Sequence, residues 1–277
     1  MNKTLREQLL ARAKQWNVSI ERTHETTGSF LAFGTRGDIP VVLKLSKHPG
    51  DEWNSGDVLR AFNGDGVVKV YESEGGAVLL ERLDPGDELV TLVRRGDDDA
   101  ANDILSRVMQ KMAHHIPPED SPTVFDWARG FDRYWQSGAS QLPADLVHQA
   151  QNLYLSLANS QGRTMLLHGD LQHYNVIFDS RRGWVAIDPK GIVGELEYEI
   201  GAIIRNPVEH FELFDAPEII QRRIRFLANA LSLDQQRALA WSFAQAVLSA
   251  IWDIEDGFST RISQHTLKLA QTIRTLL

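Results

Sequence analysis

Asp170, Asn175 and Asp188 provide two carboxylates and an amide in the spacing that phosphoryl transfer uses. The first two lie in His168-Gly-Asp-Leu-Gln-His-Tyr-Asn175; the third follows the β-type run Trp184-Val-Ala-Ile187. An Asp with four residues between it and an Asn is the pattern of a kinase catalytic loop, where the Asp accepts the proton of the substrate hydroxyl and the Asn holds magnesium. The chemistry accounts for the residue types. A hydroxyl attacking a γ-phosphate must be oriented and relieved of its proton, which a carboxylate within hydrogen-bond reach does. Magnesium prefers hard oxygen donors, so a carboxylate and an amide carbonyl suit it while water and phosphate oxygens complete its octahedron.

The same stretch has other readings. His168, Asp170 and His173 form an H-x-D-x-x-H pattern, and imidazole with carboxylate favours zinc or iron in a hydrolase. A plainer reading is a polar turn in which Gly169 relaxes the backbone, His168 bridges nearby carbonyls and His173 sits at the surface. Taken singly, the two histidines fit the plain reading better. The set Asp170, Asn175 and Asp188 does not.

The strings LLHGDLQHYNVIFD and WVAIDPKGIVGELEYEIGAIIRNP resemble the aminoglycoside phosphotransferase family, and within it the branch of streptomycin 6-kinases and hydroxyurea phosphotransferases. Weaker similarity extends over most of the chain. The resemblance implies an α+β, two-lobed protein-kinase-like fold, ATP and Mg2+ as cosubstrates, and transfer of the γ-phosphate to a hydroxyl of a small molecule, with an aminoglycoside such as streptomycin first in line. A sugar or other hydroxylated metabolite is the alternative acceptor, and a nucleotide-binding pseudoenzyme a further rival. Where protein kinases carry Asp-Phe-Gly, this chain has Asp188-Pro189-Lys190-Gly191, so regulation by a swinging Phe is not implied. Lys190 adds positive charge beside the metal ligand or pairs with a neighbouring acid.

The elements that must position these residues divide in two. Leu5, Leu9, Leu10, Ala13 and Trp16 recur at helical spacing. Ser29 to Thr35 and Pro40 to Leu45 then read as strands joined at Arg36-Gly37-Asp38, and Gly66 to Ser73 with Ala77 to Arg82 as a second pair around Glu74-Gly75-Gly76. Asp84-Pro85-Gly86-Asp87 is a turn and boundary, giving a nucleotide-binding lobe over 1–83 and a helical lobe over 84–277. Helical periodicity marks 99–115, 144–159, 217–231, 234–254 and 260–276, with Ser232 and Gln235 as a capping box before the fourth. Gly96-Asp-Asp-Asp99 reads as a solvated loop whose acids complement a helix start.

In the first lobe, Lys44 lies inside the apolar strand Val41 to Leu45, and Glu52 begins a following helix. Kinases pair such a lysine with a glutamate to hold the α- and β-phosphates, and the resemblance aligns Glu52 with that role. Gly28 and Ser29 occupy the turn between the first strands, where backbone N–H groups approach phosphate. Glu81-Arg82-Leu83 ends the last strand at the hinge whose main-chain groups bind adenine in similar proteins, so Glu81 and Leu83 are cofactor candidates through their backbone.

For the acceptor, the resemblance points to acids of the helical lobe: Glu195, Glu197 and Glu199 after the metal loop, and Trp252 with Asp253, Glu255 and Asp256. Glu199 has the alternative of tying down Arg205.

Composition excludes several classes. The chain has 277 residues, 43% of them hydrophobic, enough for two sizeable cores. A net charge of −8 argues against nucleic-acid or anionic-membrane partners and is compatible with a cationic small substrate. With no Cys there is no disulfide framework, thiolate catalysis or Cys-ligated zinc. Met1 to Gln8 has charges but no apolar core of a secretory signal, and the most apolar stretch, Ala240 to Trp252, is interrupted by Ser242, Gln245 and Ser249, so a cytoplasmic location is expected.

Overall fold

Alternating burial from Phe30 to Thr35 marks the first sheet, since a pleated strand turns successive side chains to opposite faces. The computed structural model describes residues 3–50, 53–257 and 260–277. In chain order it contains α1 (Lys3–Gln15), β1 (Ser19–Glu25), β2 (Ser29–Arg36), β3 (Ile39–Ser46), α2 (Ser55–Phe62), β4 (Val70–Glu74), β5 (Ala77–Glu81) and β6 (Pro85–Glu88). Next come α3 (Val90–Arg94), α4 (Asp98–Met112), α5 (Val124–Gln136), α6 (Ala144–Asn159), and the short strands β7 (Met165–Leu167), β8 (Val176–Asp179), β9 (Gly183–Ala186) and β10 (Ile192–Gly194). Then follow α7 (Leu196–Ile204), a 3-10 helix (Val208–Leu213), α8 (Pro217–Leu231), α9 (Gln235–Glu255) and α10 (Thr260–Arg274).

The chain forms two compact units, Met1–Asp87 with Ile177–Lys190, and Glu88–Val176 with Gly191–Leu277. The first division therefore falls at Asp87 rather than at 83, and the strand leading to Asp188 joins the β-rich unit. Backbone pairing is the reason. Val68 N–H donates to the Ala186 carbonyl at 2.8 Å, and Ala186 N–H to that of Gly66 at 2.7 Å.

In the first unit five antiparallel strands run in the order β1-β2-β3-β5-β4. Val41, Leu43 and Leu45 on one face of β3 join Ala77 and Leu79 of β5 in a core covered by Leu9, Ala13 and Trp16 of α1. Lys44 therefore belongs to the opposite face, with Val78 as its cross-strand partner. That face is covered too: a Cβ on Gly56 of α2 would meet Val78 and Ser73.

The second unit is organised around α9, whose residues from Ala238 to Leu248 are all buried, as befits a helix apolar on every side. It packs against α5, α6, α7, α8 and α10. Trp241 of α9 meets Tyr154 of α6 and Tyr198 of α7 edge-on, with centroids 5.0 and 4.9 Å apart. α7 comes close because residue 201 is glycine; a Cβ there would stand 2.5 Å from the Gln245 side chain. Among the described residues, no helix is long and apolar enough to cross a membrane.

Three local expectations are corrected. Ser232 does not open α9: it ends α8 in the left-handed conformation at φ 57°, and Asp234 caps α9 by accepting the Arg237 N–H at 2.9 Å. The capping box lies instead at Thr123 and Asp126, opening α5, a helix outside the expected set although Val124, Ala128, Phe131 and Tyr134 keep helical spacing on its buried face. Asp98 is not solvated. It is 8% exposed and pairs with Arg223, which is fully buried, at 3.0 Å from Nε, and with Arg222 at 2.8 Å.

Burial works against ionisation of Asp98, but the Arg223 and Arg222 guanidiniums outweigh it and hold the carboxyl below its ordinary value. A depressed carboxyl pKa contributes stability above its unfolded value, and that contribution is lost as pH falls through the folded one. Asp98→Asn is expected to cost about 3–5 kcal/mol near neutral pH, because the Arg223 charge stays buried without its counter-ion. Thermal melts between neutral and acid pH check this: the gap between wild type and variant should narrow as pH drops, and an equal gap at all pH would refute it.

Candidate active site

The loop carrying Asp170 and Asn175 follows β7 in the second unit. β7 pairs with β10, so the chain leaves the two-stranded ribbon at His168, whose carbonyl accepts the Gly191 N–H at 3.1 Å. Gly169 has φ 83°, a left-handed conformation in which a side chain is strained. The turn it makes points successive backbone N–H groups inward. Glu199 of α7 receives them, from His168 at 2.7 Å, Gly169 at 3.1 Å and Leu171 at 3.4 Å.

Glu199 is therefore not an acceptor-binding residue, nor is it tied to Arg205. It is 1% exposed, and Arg205 donates to Gln245 at 2.9 Å. Burial pushes its carboxyl up to about 7, against the three backbone donors that favour the carboxylate. Its place beneath the loop on both sides of Asp170 makes it a positioning group. Glu199→Gln puts an amide N–H2 among three N–H donors. Turnover is expected to fall roughly 10²-fold, the size of effect a displaced reacting group produces, with nucleotide affinity retained. Steady-state kinetics beside nucleotide titration checks this, and unchanged kcat would contradict it.

Asp170 is half-buried. The Asn175 amide nitrogen donates to the Asp170 main-chain carbonyl at 2.8 Å and to its carboxylate Oδ2 at 3.2 Å. With nitrogen engaged this way, Oδ1 is the remaining polar atom of the Asn175 side chain, a hard oxygen of the kind magnesium takes. The loop is closed by Asn175 N–H to the Gln172 carbonyl at 2.9 Å and Tyr174 N–H to Gln172 Oε1 at 2.8 Å.

The histidines are placed differently from expectation. His173 is not at the surface but fully buried, and burial with the nearby Arg223 charge holds its imidazole down to about 3, so it is neutral. His168 is also fully buried, its Nδ1 accepting the Asp170 N–H at 3.3 Å. Among the described residues, His168, Asp170 and His173 do not bring ligand atoms together, which disfavours a zinc or iron site.

In the first unit, Asp188 stands at φ 57°, a left-handed position that a short polar residue tolerates best after glycine. Lys44 Nζ lies 2.7 Å from its Oδ1, with the Lys44 side chain 5% exposed. The cation and the carboxylate that the sequence assigns to phosphate and metal as expectations are thus neighbours. Glu52, the expected partner of Lys44, lies outside the described residues. Gly28 sits in a turn closed by Ser29 N–H to Thr26 Oγ1 at 3.0 Å, and its carbonyl accepts the Lys47 N–H at 2.9 Å. Ser29 is 3% exposed.

At the end of β5 the Glu81 side chain is turned inward, accepting from Lys69 N–H at 2.8 Å and from Arg182. Leu83 follows, half-buried, with no main-chain hydrogen bond to another described residue.

Of the acids considered for an acceptor, Glu195 is buried and committed: Arg237, Trp241 Nε1 and the Gly162 N–H at 3.0 Å all bind it. Glu255 makes a two-pronged bond to Arg133, 3.0 Å on each arm. Asp253 accepts from Thr266 at 3.0 Å, and burial raises its carboxyl. Asp256 caps the end of α9 and is exposed. Trp252 packs edge-on against Trp127 at 5.4 Å, the centroid distance of a T-shaped pair. Trp127 and Arg133 both lie on α5.

Comparison with known proteins gives the family of the chain. The family described as aminoglycoside/hydroxyurea antibiotic resistance kinase matches residues 15–257, and the chain belongs to it. It is thus a small-molecule kinase. A streptomycin 3''-kinase of Klebsiella pneumoniae is 30% identical over 254 residues, 88% of this chain and 91% of the relative. A hydroxyurea phosphotransferase of Kitasatospora aureofaciens is 32% identical over 255 residues, 88% of this chain and 72% of the relative. Among solved structures, aminoglycoside phosphotransferase APH(4)-Ia superposes with a TM-score of 0.70 at 16% identity, covering 98% of each chain. Choline kinase LicA from Streptococcus pneumoniae gives 0.65 at 15% identity, covering 98% of this chain and 99% of that one. The fold is protein-kinase-like.

Proposed function

We propose that this protein moves the γ-phosphoryl group of ATP to a hydroxyl of a cationic, polyhydroxylated small molecule of aminoglycoside type, with magnesium bound to the nucleotide. The observation that carries the reading is the Asn175 amide nitrogen on Asp170, which orients a half-buried carboxylate while leaving an amide oxygen for a cation. Asp170 accepts the hydroxyl proton as the acceptor oxygen bonds to the γ-phosphorus; the bond from that phosphorus to the β–γ bridging oxygen breaks and ADP leaves. Lys44 neutralises charge on the phosphates. Asn175 Oδ1 and the Asp188 carboxylate are each the kind of oxygen that would serve magnesium, which would offset the charge of the phosphate oxygens when bound. The main chain at Leu83 receives the adenine edge, and the turn at Gly28 and Ser29 covers the phosphates. A cytoplasmic location, where ATP is supplied, suits such a reaction.

The acceptor class rests on the named activities of the streptomycin kinase relatives together with the acids near the end of α9. With Glu255 committed to Arg133, Asp256 is the more available carboxylate, and Trp252 with Trp127 offers aromatic edges. A cation close to a carboxylate gains about 4 kcal/mol at an effective dielectric near 20, before desolvation. The test is ATP-dependent mass gain of one phosphoryl group across aminoglycosides, aminocyclitols, sugars and amino alcohols. Streptomycin is expected to react, and Asp256→Asn to weaken cationic acceptors selectively and in a salt-dependent way. Reaction of neutral acceptors alone would replace the antibiotic reading with a metabolite kinase.

A further inference from the structure

Arg182, in the turn before β9, links three parts of the first unit. Its guanidinium donates to the Glu81 carboxylate at the end of β5, to the Gly64 carbonyl, and to the Val67 carbonyl at 3.1 Å. The side chains of Arg182 and Glu81 are 20% and 8% exposed, so the pair is largely shielded from water. Glu81 is itself fixed from a second side, by the Lys69 N–H at 2.8 Å.

These bonds fall where they bear on the phosphate-binding residues. β9 runs from Gly183 to Ala186, pairs there with Val67 through a parallel bridge, and leads directly into Ile187 and Asp188. β5 aligns Glu81 with Val41 and Val78 with Lys44. Arg182 thus ties the start of the strand that delivers Asp188 to the end of the strand that pairs with the Lys44 strand. A planar guanidinium fork can serve a carboxylate and two carbonyls at once, which an ammonium point charge cannot do with the same directionality. The separation of Glu81 and Arg182 by 101 residues shows that the bond spans the unit rather than closing a local turn.

We propose that Arg182 and Glu81 are positioning residues that set Asp188 against Lys44, and so tune affinity for metal-bound nucleoside triphosphate without touching it. The inference rests on the reading that Lys44 and Asp188 serve phosphate and metal. A supporting group outside the metal's own ligands typically changes metal affinity by roughly 10–100-fold. The expected signature is discrimination between ligands. Adenosine uses the hinge backbone alone, whereas magnesium ATP also needs Lys44 and Asp188 in register.

The experiment titrates magnesium ATP and adenosine into wild type, Arg182→Ala, Arg182→Lys, Glu81→Gln and Lys44→Ala by calorimetry, at a temperature where circular dichroism shows each folded. Arg182→Ala should weaken magnesium ATP by roughly 10–100-fold and adenosine by only a small factor, with Arg182→Lys between it and wild type. If Arg182→Ala does not fold, Arg182→Lys and Glu81→Gln carry the same comparison. An unchanged ratio of the two affinities in the Arg182 and Glu81 variants, while Lys44→Ala still discriminates, overturns this inference alone. Failure of Lys44→Ala to discriminate overturns the phosphate reading and this inference with it.

Discussion

Asp170→Asn is expected to lower turnover by roughly 10²–10⁴-fold, the usual contribution of a positioned base, while ATP affinity stays within a small factor. The split between kcat and binding follows from where the group acts. Asp170 is oriented by Asn175 and its loop is held by Glu199, so the substitution removes basicity and leaves the frame standing. An interaction made only as the proton moves appears in kcat and kcat/KM together. Single-turnover phosphate transfer with ATP titrated separately checks this, and near-normal turnover would remove Asp170 from the mechanism.

Asp188→Ala is expected to have the second-largest effect, seen as a higher magnesium requirement. Loss of a supporting group around a metal costs roughly 10–100-fold, and loss of a ligand oxygen itself should cost at least as much. The variant also deprives the buried Lys44 ammonium of the carboxylate at 2.7 Å. Magnesium titrations of ATP turnover check the prediction. If the magnesium curve of Asp188→Ala overlays that of wild type, the residue serves only to pack the loop after β9.

The candidate reacting groups are legible in the sequence because the loop that bears them is local. Asp170 and Asn175 are near neighbours whose mutual geometry is fixed by one short turn, and Asp188 follows a strand that its β-branched and aromatic residues announce. The lysine inside β3 was equally readable once alternation put Val41, Leu43 and Leu45 on one face. Long-range partners were not. Glu199 looks like any acid in a helix start, and only its burial under the loop shows that it binds three N–H groups. Asp98 meets Arg223 across 125 residues, and an acidic run before a helix carries no sign of it. The Glu255 and Arg133 pair is similar, at a separation of 122 residues. α5 was itself legible, since Thr123 and Asp126 spell its N-terminus and Val124, Ala128, Phe131 and Tyr134 recur at helical spacing along its buried face.

The central claim is phosphoryl transfer to a small-molecule hydroxyl, and the most direct measurement follows ADP and acceptor mass together. Purified protein is given ATP and magnesium with and without streptomycin. The account predicts ADP formation that depends on the acceptor, one phosphoryl group gained by the acceptor per ADP formed, and loss of both in Asp170→Asn. ADP released equally with no acceptor present and with no phosphorylated product from any member of a broad hydroxyl panel would contradict it.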